Sequence, residues 1–158
     1  MSIYTSSQET INTLEAIFEK HKDERVCVLG TTCCGKTTLL KKIPNCVDMD
    51  ESLWPLLSQE EIDFVCQKPW TKEIGAYFDK LIYTKVKIAK GMPMFGTVIL
   101  DCEVVVYLDI ADELLKAHCQ ERNVDFSDAK NMKEAIEIDW NNHRVKGEKK
   151  FYYLTIVE

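Results

Sequence analysis

The chain has 158 residues, a length typical of one domain, and 46% hydrophobic residues provide enough apolar surface for a buried core. Its 26 acidic and 20 basic residues leave a net charge of −6, which argues against a nucleic-acid or anionic-membrane binder, since either needs a basic surface. No apolar run approaches the ~20 residues of a membrane span, and MSIYTSSQET lacks the basic and apolar regions of a secretory signal.

The seven cysteines form no Cys-x-x-Cys pair, and their number is odd. We expect reduced thiols that serve as small hydrophobic residues in a cytoplasmic protein. The three histidines are scattered along the chain at His21, His118 and His143, so a zinc site built from clustered cysteines and histidines is not favoured.

The apolar pattern predicts helices and strands in alternation. A helix within residues 1–24 follows Ser6, whose spacing to Glu9 is that of a capping box. Residues 26–29 form a short apolar strand, and residues 37–42 a helix that Pro44 ends. The other predicted elements are a strand at Cys46 and Val47, helices from about Ser58 and Thr71, strands at 86–89 and 103–110, helices at 112–122 and 129–142, and a strand at 151–157.

Short, wholly apolar strands that alternate with amphipathic helices are typical of a parallel sheet covered on both faces. We therefore expect a single three-layer α/β/α domain over residues 1–158, with a mostly parallel sheet of five strands.

Residues 30–37 match the phosphate-binding pattern G-x-x-x-x-G-K-[ST] at every fixed position, between a predicted strand and a predicted helix. Glycines let the backbone wrap around a phosphate, and free N–H groups at the helix start point at the anion. Lys36 supplies a charge for the β- and γ-phosphates, and the Thr37 hydroxyl is a ligand for Mg²⁺. The pattern predicts that ATP and Mg²⁺ bind to a phosphate loop formed by Gly30, Thr31, Thr32, Cys33, Cys34, Gly35, Lys36, Thr37 and Thr38.

Two alternatives remain for the cysteines of this loop. Cys33 and Cys34 are either small residues that the loop tolerates, or thiols whose pKa the helix terminus lowers, which would make the loop oxidisable.

The absence of certain motifs argues against several classes of nucleotide-binding protein. The sequence has no Asn-Lys-x-Asp, which argues against a guanine-specific switch protein, and no Leu-Ser-Gly-Gly, which argues against a transporter ATPase. The chain is also too short for the usual two-part ring ATPase.

The sequence resembles the P-loop small-molecule kinases, the group of shikimate, gluconate and nucleoside monophosphate kinases. The similar segments are GTTCCGKTT, VDMDE, EVVVYLDIADELLKAHCQER, and HR followed by FYYLTIVE. The resemblance implies phosphate transfer from ATP to a small acceptor, with helices at about 51–84 covering the acceptor and a short lid at about 122–130 closing over it. The chain departs from the group in its single lid arginine, its lack of a Gly-Gly pair between Gly91 and Gly96, and its end at Glu158.

Three aspartates are candidate ligands. Asp48 and Asp50 follow a predicted parallel strand at the end where ligands bind in such sheets. We assign Asp48 to the metal and Asp50 to the acceptor hydroxyl, the alternative being a solvated acidic turn or a helix cap. Asp101 closes the apolar residues 97–100, as a metal-binding carboxylate does in a Walker B strand, or it is a turn residue between two strands.

Arginine forks suit the oxygens of a transferring phosphoryl group, and Arg122 and Arg144 lie where the resembling group uses arginines. We assign Arg122 to the transferring phosphoryl group, which makes it the third catalytic residue with Lys36 and Asp50. Arg144 is assigned to the nucleotide. Alternatively, each is a charge that the helix dipole favours at a helix end. Trp54, Trp70 and Tyr77 are either packing residues or an aromatic wall for the acceptor.

The sequence therefore predicts an ATP-dependent kinase with a small-molecule acceptor and no nucleic-acid or membrane partner. The alternative is a non-catalytic nucleotide-binding protein that controls a partner through the nucleotide it has bound. The sparse lid and the missing Gly-Gly pair support this alternative.

Overall fold

The computed structural model describes residues 3–69 and 71–157. In these residues the chain forms, in order, β1 (Ile3–Thr5), α1 (Ser7–Lys20), β2 (Val26–Leu29), α2 (Lys36–Lys42), β3 (Val47–Asp48), α3 (Met49–Leu53), a 3₁₀ turn (Trp54–Leu56), α4 (Gln59–Val65), α5 (Lys72–Lys85), β4 (Met94–Gly96), β5 (Val104–Ile110), α6 (Asp112–Arg122), α7 (Phe126–Lys146) and β6 (Lys150–Ile156). The predicted α/β class is confirmed.

The strands form one parallel sheet in the order β1-β6-β5-β2-β4-β3. β2 lies between β5 and β4, with Val28 opposite Val106 on one side and Phe95 on the other. All four residues of β2 are buried, as expected for a strand covered on both faces. The carboxyl end of β2 is therefore held at the middle of one sheet edge.

The predicted count of five strands is wrong, because β1 adds a sixth strand within the described residues. β1 pairs with β6 at the sheet edge, where Tyr4 lies opposite Thr155, and the N–H of Val157 donates to the carbonyl of Thr5 at 3.0 Å. Three residues are too few to show an apolar period, so only pairing with the distant β6 defines this strand.

Three helices start where the sequence predicted, and a side chain caps each start. Ser6 and Glu9 form a reciprocal capping box before α1, and Ser58 and Glu61 form another before α4. Each box satisfies backbone N–H groups that lack a partner inside the helix. Thr71 caps α5 in a related way, because its side chain accepts from the N–H of Ile74. These starts depend on side chains three residues apart, which the sequence shows directly.

The predicted strand at 86–89 is wrong. Val86 and Ile88 are buried, but this segment forms only an isolated bridge between Ala89 and Met92. The strand that pairs with β2 and β3 is β4, and the apolar residues 97–100 belong to the connection that returns from β4 to β5. Ile99 and Leu100 are buried in this connection, so their apolar pattern reflects burial without strand pairing.

Two apolar clusters lie on opposite faces of the sheet. One contains residues of α1, α2 and α6, and the other contains residues of α3, α4, α5 and most of α7. β5 serves both, since Val104 and Val106 belong to the first cluster and Val105 and Tyr107 to the second. In residues 3–69 and 71–157, no helix is both long enough and apolar enough to cross a bilayer.

Candidate nucleotide site

The phosphate loop begins at the carboxyl end of β2. The chain leaves β2 for β4 and β3 on one side, then crosses to β5 and β6 on the other, so the loop lies where the strand order reverses direction. This is the position at which parallel α/β sheets bind ligands. The N–H of Gly30 donates to the carbonyl of Gly96 at 3.1 Å, which fixes the start of the loop against the end of β4.

Glycine is favoured at two positions of the loop, for a different structural reason at each. A Cβ on Gly30 would lie 2.5 Å from the sulfur of Cys34, so a larger residue fits there only if that sulfur moves. Gly35 has a φ of 102°, in the left-handed region, and it is the N-cap of α2. Cys33 shares the left-handed conformation with a φ of 65°. The loop therefore turns sharply before the N–H groups of α2.

Lys36 lies over the loop that precedes it. Its ammonium group donates to the carbonyl of Gly30, six residues earlier. The side chains of Thr37 and Thr38 are exposed in the first turn of α2. A cation and two free hydroxyl groups therefore stand at the mouth of the loop, the donor types that phosphate and magnesium require.

Helices α6 and α7 hold the loop from outside. The hydroxyl of Thr31 donates to the carbonyl of Ala129 at 2.6 Å, and the N–H of Thr32 lies 3.4 Å from the sulfur of Met132. Nδ1 of His118 lies 2.9 Å from the carbonyl oxygen of Cys33. The sequence did not indicate these partners, because they lie 85 to 100 residues from the loop and mostly contact its backbone.

The loop cysteines are buried, with 4% of Cys33 and 2% of Cys34 exposed. Burial raises the pKa of the Cys34 thiol, which is the opposite of the shift that an oxidisable loop requires. Cys33 packs against the thiol of Cys119 in the same apolar cluster. Both cysteines therefore act as small core residues, the first of the two alternatives.

The two aspartates after β3 have different surroundings. Asp48 caps α3, since its carboxylate accepts from the N–H of Glu51 at 3.1 Å. The pKa of Asp50 is raised, mainly by loss of hydration and then by the charge of Asp48, while Lys36 lowers it. Asp50 is therefore an exposed carboxylate within range of the charge of Lys36, whereas one oxygen of Asp48 is used as a helix cap.

One further carboxylate, on α5, is within range of the charge of Asp50. The pKa of Asp79 on α5 is also raised, first by loss of hydration, then by the charges of Asp50 and Asp139. No group of three or more metal-ligand side chains is assembled in the described ranges. Magnesium suits this donor set, because it keeps several waters and takes one or two protein ligands besides nucleotide phosphates.

Asp101 lies at the wrong edge of the sheet for the predicted metal site. Its carboxylate lies 3.0 Å from the guanidinium of Arg25, which precedes β2 and also binds Glu103. The connection from β4 has returned to the amino edge by this point, so the length of β2, about 13 Å, separates Asp101 from the phosphate loop. Asp101 is therefore a turn residue and does not share a metal with Thr37.

Arg144 is also far from the loop. It lies 15 residues after Ala129 on the same helix, α7, which corresponds to about 22 Å along the helix axis. Ala129 is at the phosphate loop, and Arg144 is in the last turn before Gly147. The assignment of Arg144 to the nucleotide is therefore wrong, and its position is that of a charge at a helix end.

Arg122 stands nearer the loop. It is the last residue of α6, one turn beyond His118, and it is exposed without an ion pair to any residue in 3–69 or 71–157. The predicted lid at 122–130 is a compact turn followed by the start of α7. Asn123 adopts a left-handed conformation, the N–H of Val124 donates to the carbonyl of Cys119 at 2.9 Å, and Asp125 caps α7.

The aromatic residues near the predicted acceptor region pack on each other. The rings of Trp54 and Phe78 are 5.9 Å apart, and those of Tyr77 and Phe64 are 4.8 Å apart. Trp70 lies outside the described residues. These contacts agree with a packing role, and Trp54 keeps 39% of its surface exposed.

A charged network that the sequence analysis missed lies at the carboxyl end of β5. The ammonium of Lys133 donates to the carbonyl of Ile110 at 2.9 Å and lies 3.2 Å from Asp109 and 3.0 Å from Asp112. The hydroxyl of Tyr153 donates to the other oxygen of Asp109 at 2.7 Å. The visible signal is an aspartate inside the apolar strand VVVYLDI, and the network holds α7 on the sheet beside the loop.

No protein-family model matches the sequence, and no curated protein matches it.

Proposed function

We propose that this chain is an ATP-dependent kinase that transfers phosphate to a small-molecule acceptor. The observation that carries the proposal is the complete phosphate-binding pattern, folded as a turn from the central strand into a helix with Lys36 over it. We also infer a P-loop fold and a cytoplasmic location, the latter because all seven cysteines are free thiols.

Nucleotide binding would use the loop as a cradle for the phosphates. The backbone N–H groups at the start of α2 would donate to the phosphate oxygens, and Lys36 would leave the carbonyl of Gly30 to bind them. Thr37 would hold magnesium, and Asp48 at the end of β3 would support it. Bound magnesium neutralises charge on the β- and γ-phosphates.

The acceptor side is assigned to Asp50. Its carboxylate is exposed and within range of the charge of Lys36, so an acceptor hydroxyl bound to it would lie on the side of the phosphate loop. Its carboxylate can accept the hydrogen bond of an acceptor hydroxyl.

Arg122 is the residue proposed to meet the transferring phosphoryl group. The contact between His118 and Cys33 brings the end of α6 toward the loop, and the guanidinium of Arg122 has no ion pair that would hold it back among the described residues. A guanidinium fork there would bind the equatorial oxygens that gain charge in the transition state.

The second candidate is a non-catalytic nucleotide-binding protein. The observation that favours it is the compact connection between α6 and α7, which leaves Arg122 alone in place of a lid with several arginines. Such a protein would bind ATP and transfer no phosphate.

Calorimetry with ATP and Mg²⁺ tests the binding that both candidates share. Lys36→Ala removes the charge at the loop and should abolish measurable binding, while Lys42→Ala, an exposed lysine in the last turn of α2, should bind as the parent does. Equal affinity of Lys36→Ala and the parent would overturn the proposal. A screen of hydroxyl acceptors with ATP then separates the candidates, since only a kinase forms a phosphorylated acceptor.

A further inference from the structure

The outer face of α7, the side that points away from the sheet, carries two exposed apolar residues. Ile136 and Trp140 lie on the inner side of α7 and are buried. Ile138 lies about half a turn away from both, and 64% of it is exposed. Val145 follows seven residues later, within about 20° of the same line along the helix, and 87% of it is exposed. Two apolar residues in line on the side that is polar in most surface helices indicate a contact face.

Charged residues of one sign flank each of these apolar residues. Residues 137–139 read EID, the acidic triplet, and residues 144–146 read RVK, the basic triplet. The triplets are seven residues apart, which exceeds the spacing of three or four over which side chains pair within one helix. In the part of the chain that the structure describes, none of Glu137, Arg144 and Lys146 forms an ion pair. The two triplets therefore lack the partner that their charges call for.

A second copy of α7 that runs in the opposite direction supplies that partner. A two-fold axis level with residues 141–142 would bring the acidic triplet of each copy beside the basic triplet of the other. Ile138 would then lie beside the partner's Val145. Because each flank of the helix meets the same flank of the copy, Glu137 would lie beside the partner's Arg144. Parallel copies would instead place acidic residues beside acidic residues, so the charges select the antiparallel arrangement.

We propose that two copies of this chain associate through the outer faces of their α7 helices, antiparallel about a two-fold axis. The apolar residues form the centre of the contact and the charged residues its rim, which is the usual anatomy of a protein interface. One helix from each copy makes a small contact, below the ~1,200 Å² of stable complexes, so the dimer is a weak one.

The contact is separate from the proposed nucleotide site. The residues of α7 that hold the phosphate loop, Ala129 and Met132, precede the acidic triplet and are not part of the outer face that pairs. The association therefore does not depend on the kinase function, and either proposal can fail without the other.

Sedimentation equilibrium of the full chain over a series of concentrations tests the association. We expect a monomer–dimer equilibrium whose Kd rises with salt concentration, because salt screens exposed charges. Val145→Glu places a carboxylate against the partner's acidic triplet and should raise the Kd about tenfold or more. Tyr83→Glu is the matched control, since Tyr83 is an exposed apolar residue on α5, and its Kd should equal that of the parent.

Charge reversal tests the antiparallel pairing. Glu137 and Arg144 form the better flank for this purpose, because Asp139 on the other flank already lies 3.4 Å from Nδ1 of His143. Arg144→Glu should raise the Kd about tenfold or more, since the two-fold axis repeats the like-charge contact. Adding Glu137→Arg exchanges the two charges and should return the Kd to about the parental value.

Two results would overturn the proposal. One is a parental chain that stays monomeric at every concentration, and this measurement decides even where a variant fails to fold. The other is a folded double variant that associates as weakly as Arg144→Glu alone, because the two residues would then not meet across the axis.

Discussion

The hydroxyl of Thr31 donates a 2.6 Å hydrogen bond to the carbonyl of Ala129, which joins the phosphate loop to the first turns of α7. Only 1% of Thr31 is exposed, so water does not compete for this hydrogen bond. The phosphate-binding pattern allows any residue at position 31. The residue found there is nevertheless bonded to a helix nearly one hundred residues away.

Thr31→Val should lower the free energy of unfolding by about 1–2 kcal/mol, because the shape is kept and the buried carbonyl loses its donor. Chemical denaturation measures this change. Thr31→Ser is the control. It keeps the hydroxyl, so it should keep most of the stability that the valine variant loses. If valine and serine variants unfold at the same denaturant concentration, the hydrogen bond has no weight in stability.

Gly30→Ala should destabilise the fold by about 1–3 kcal/mol, since the new Cβ meets the sulfur of Cys34 at 2.5 Å. Cys34→Ala removes that sulfur, so the double variant should recover part of the loss. A thermodynamic cycle of the two single variants and the double variant measures this coupling. Additive effects in the cycle would show that the close approach is not the cause.

Asp50→Asn should raise the thermal midpoint slightly at pH 7 and reduce phosphate transfer. A raised pKa in the folded state means that the charged carboxylate opposes folding above its unfolded pKa, and asparagine removes that charge. Calorimetric ATP affinity should not fall, because a negative group beside Lys36 is lost. Glu60→Gln, an exposed acidic residue in the first turn of α4, is the control. A variant that is less stable than the parent would contradict this account of Asp50.

Glu103→Gln should reduce the loss of stability on acidification. Hydrogen bonds from Arg25 lower the pKa of Glu103 to about 2, so the pair stabilises the fold above the unfolded pKa and is lost as the pH falls through the folded pKa. The free energy of unfolding is measured from pH 6 to pH 2. Between these pH values the parent should lose about 1 kcal/mol more than the variant, after allowance for solvent screening. Parallel curves for the two proteins would exclude this contribution.

Arg122→Ala should slow phosphate transfer about 10³-fold or more and leave ATP affinity nearly unchanged, because its contact forms mainly in the transition state. Arg144→Ala is the matched control, since it removes an arginine from the far end of α7 and should turn over at the parental rate. Steady-state kinetics with an acceptor from the screen measures both. Equal rates for Arg122→Ala and the parent would leave Arg122 as a helix-end charge.

The sequence by itself determined the features that depend on neighbouring residues. The pattern from Gly30 to Thr37, the capping boxes at Ser6 and Ser58, and the apolar strand before the loop are each complete within a few positions. Backbone conformation, helix capping and burial on both faces act over that distance, so their residue types indicate the structure directly.

Only the tertiary structure decided which distant residues reach the loop. Asp101 ends an apolar run as a metal-binding aspartate would, but the chain has returned to the amino edge and pairs it with Arg25. Arg144 is separated from the loop by the length of α7, whereas Ala129 and His118, without any motif, contact it. Local patterns carry no information on the edge of the sheet at which a residue lies, since strand pairing and the direction of each crossover set that edge.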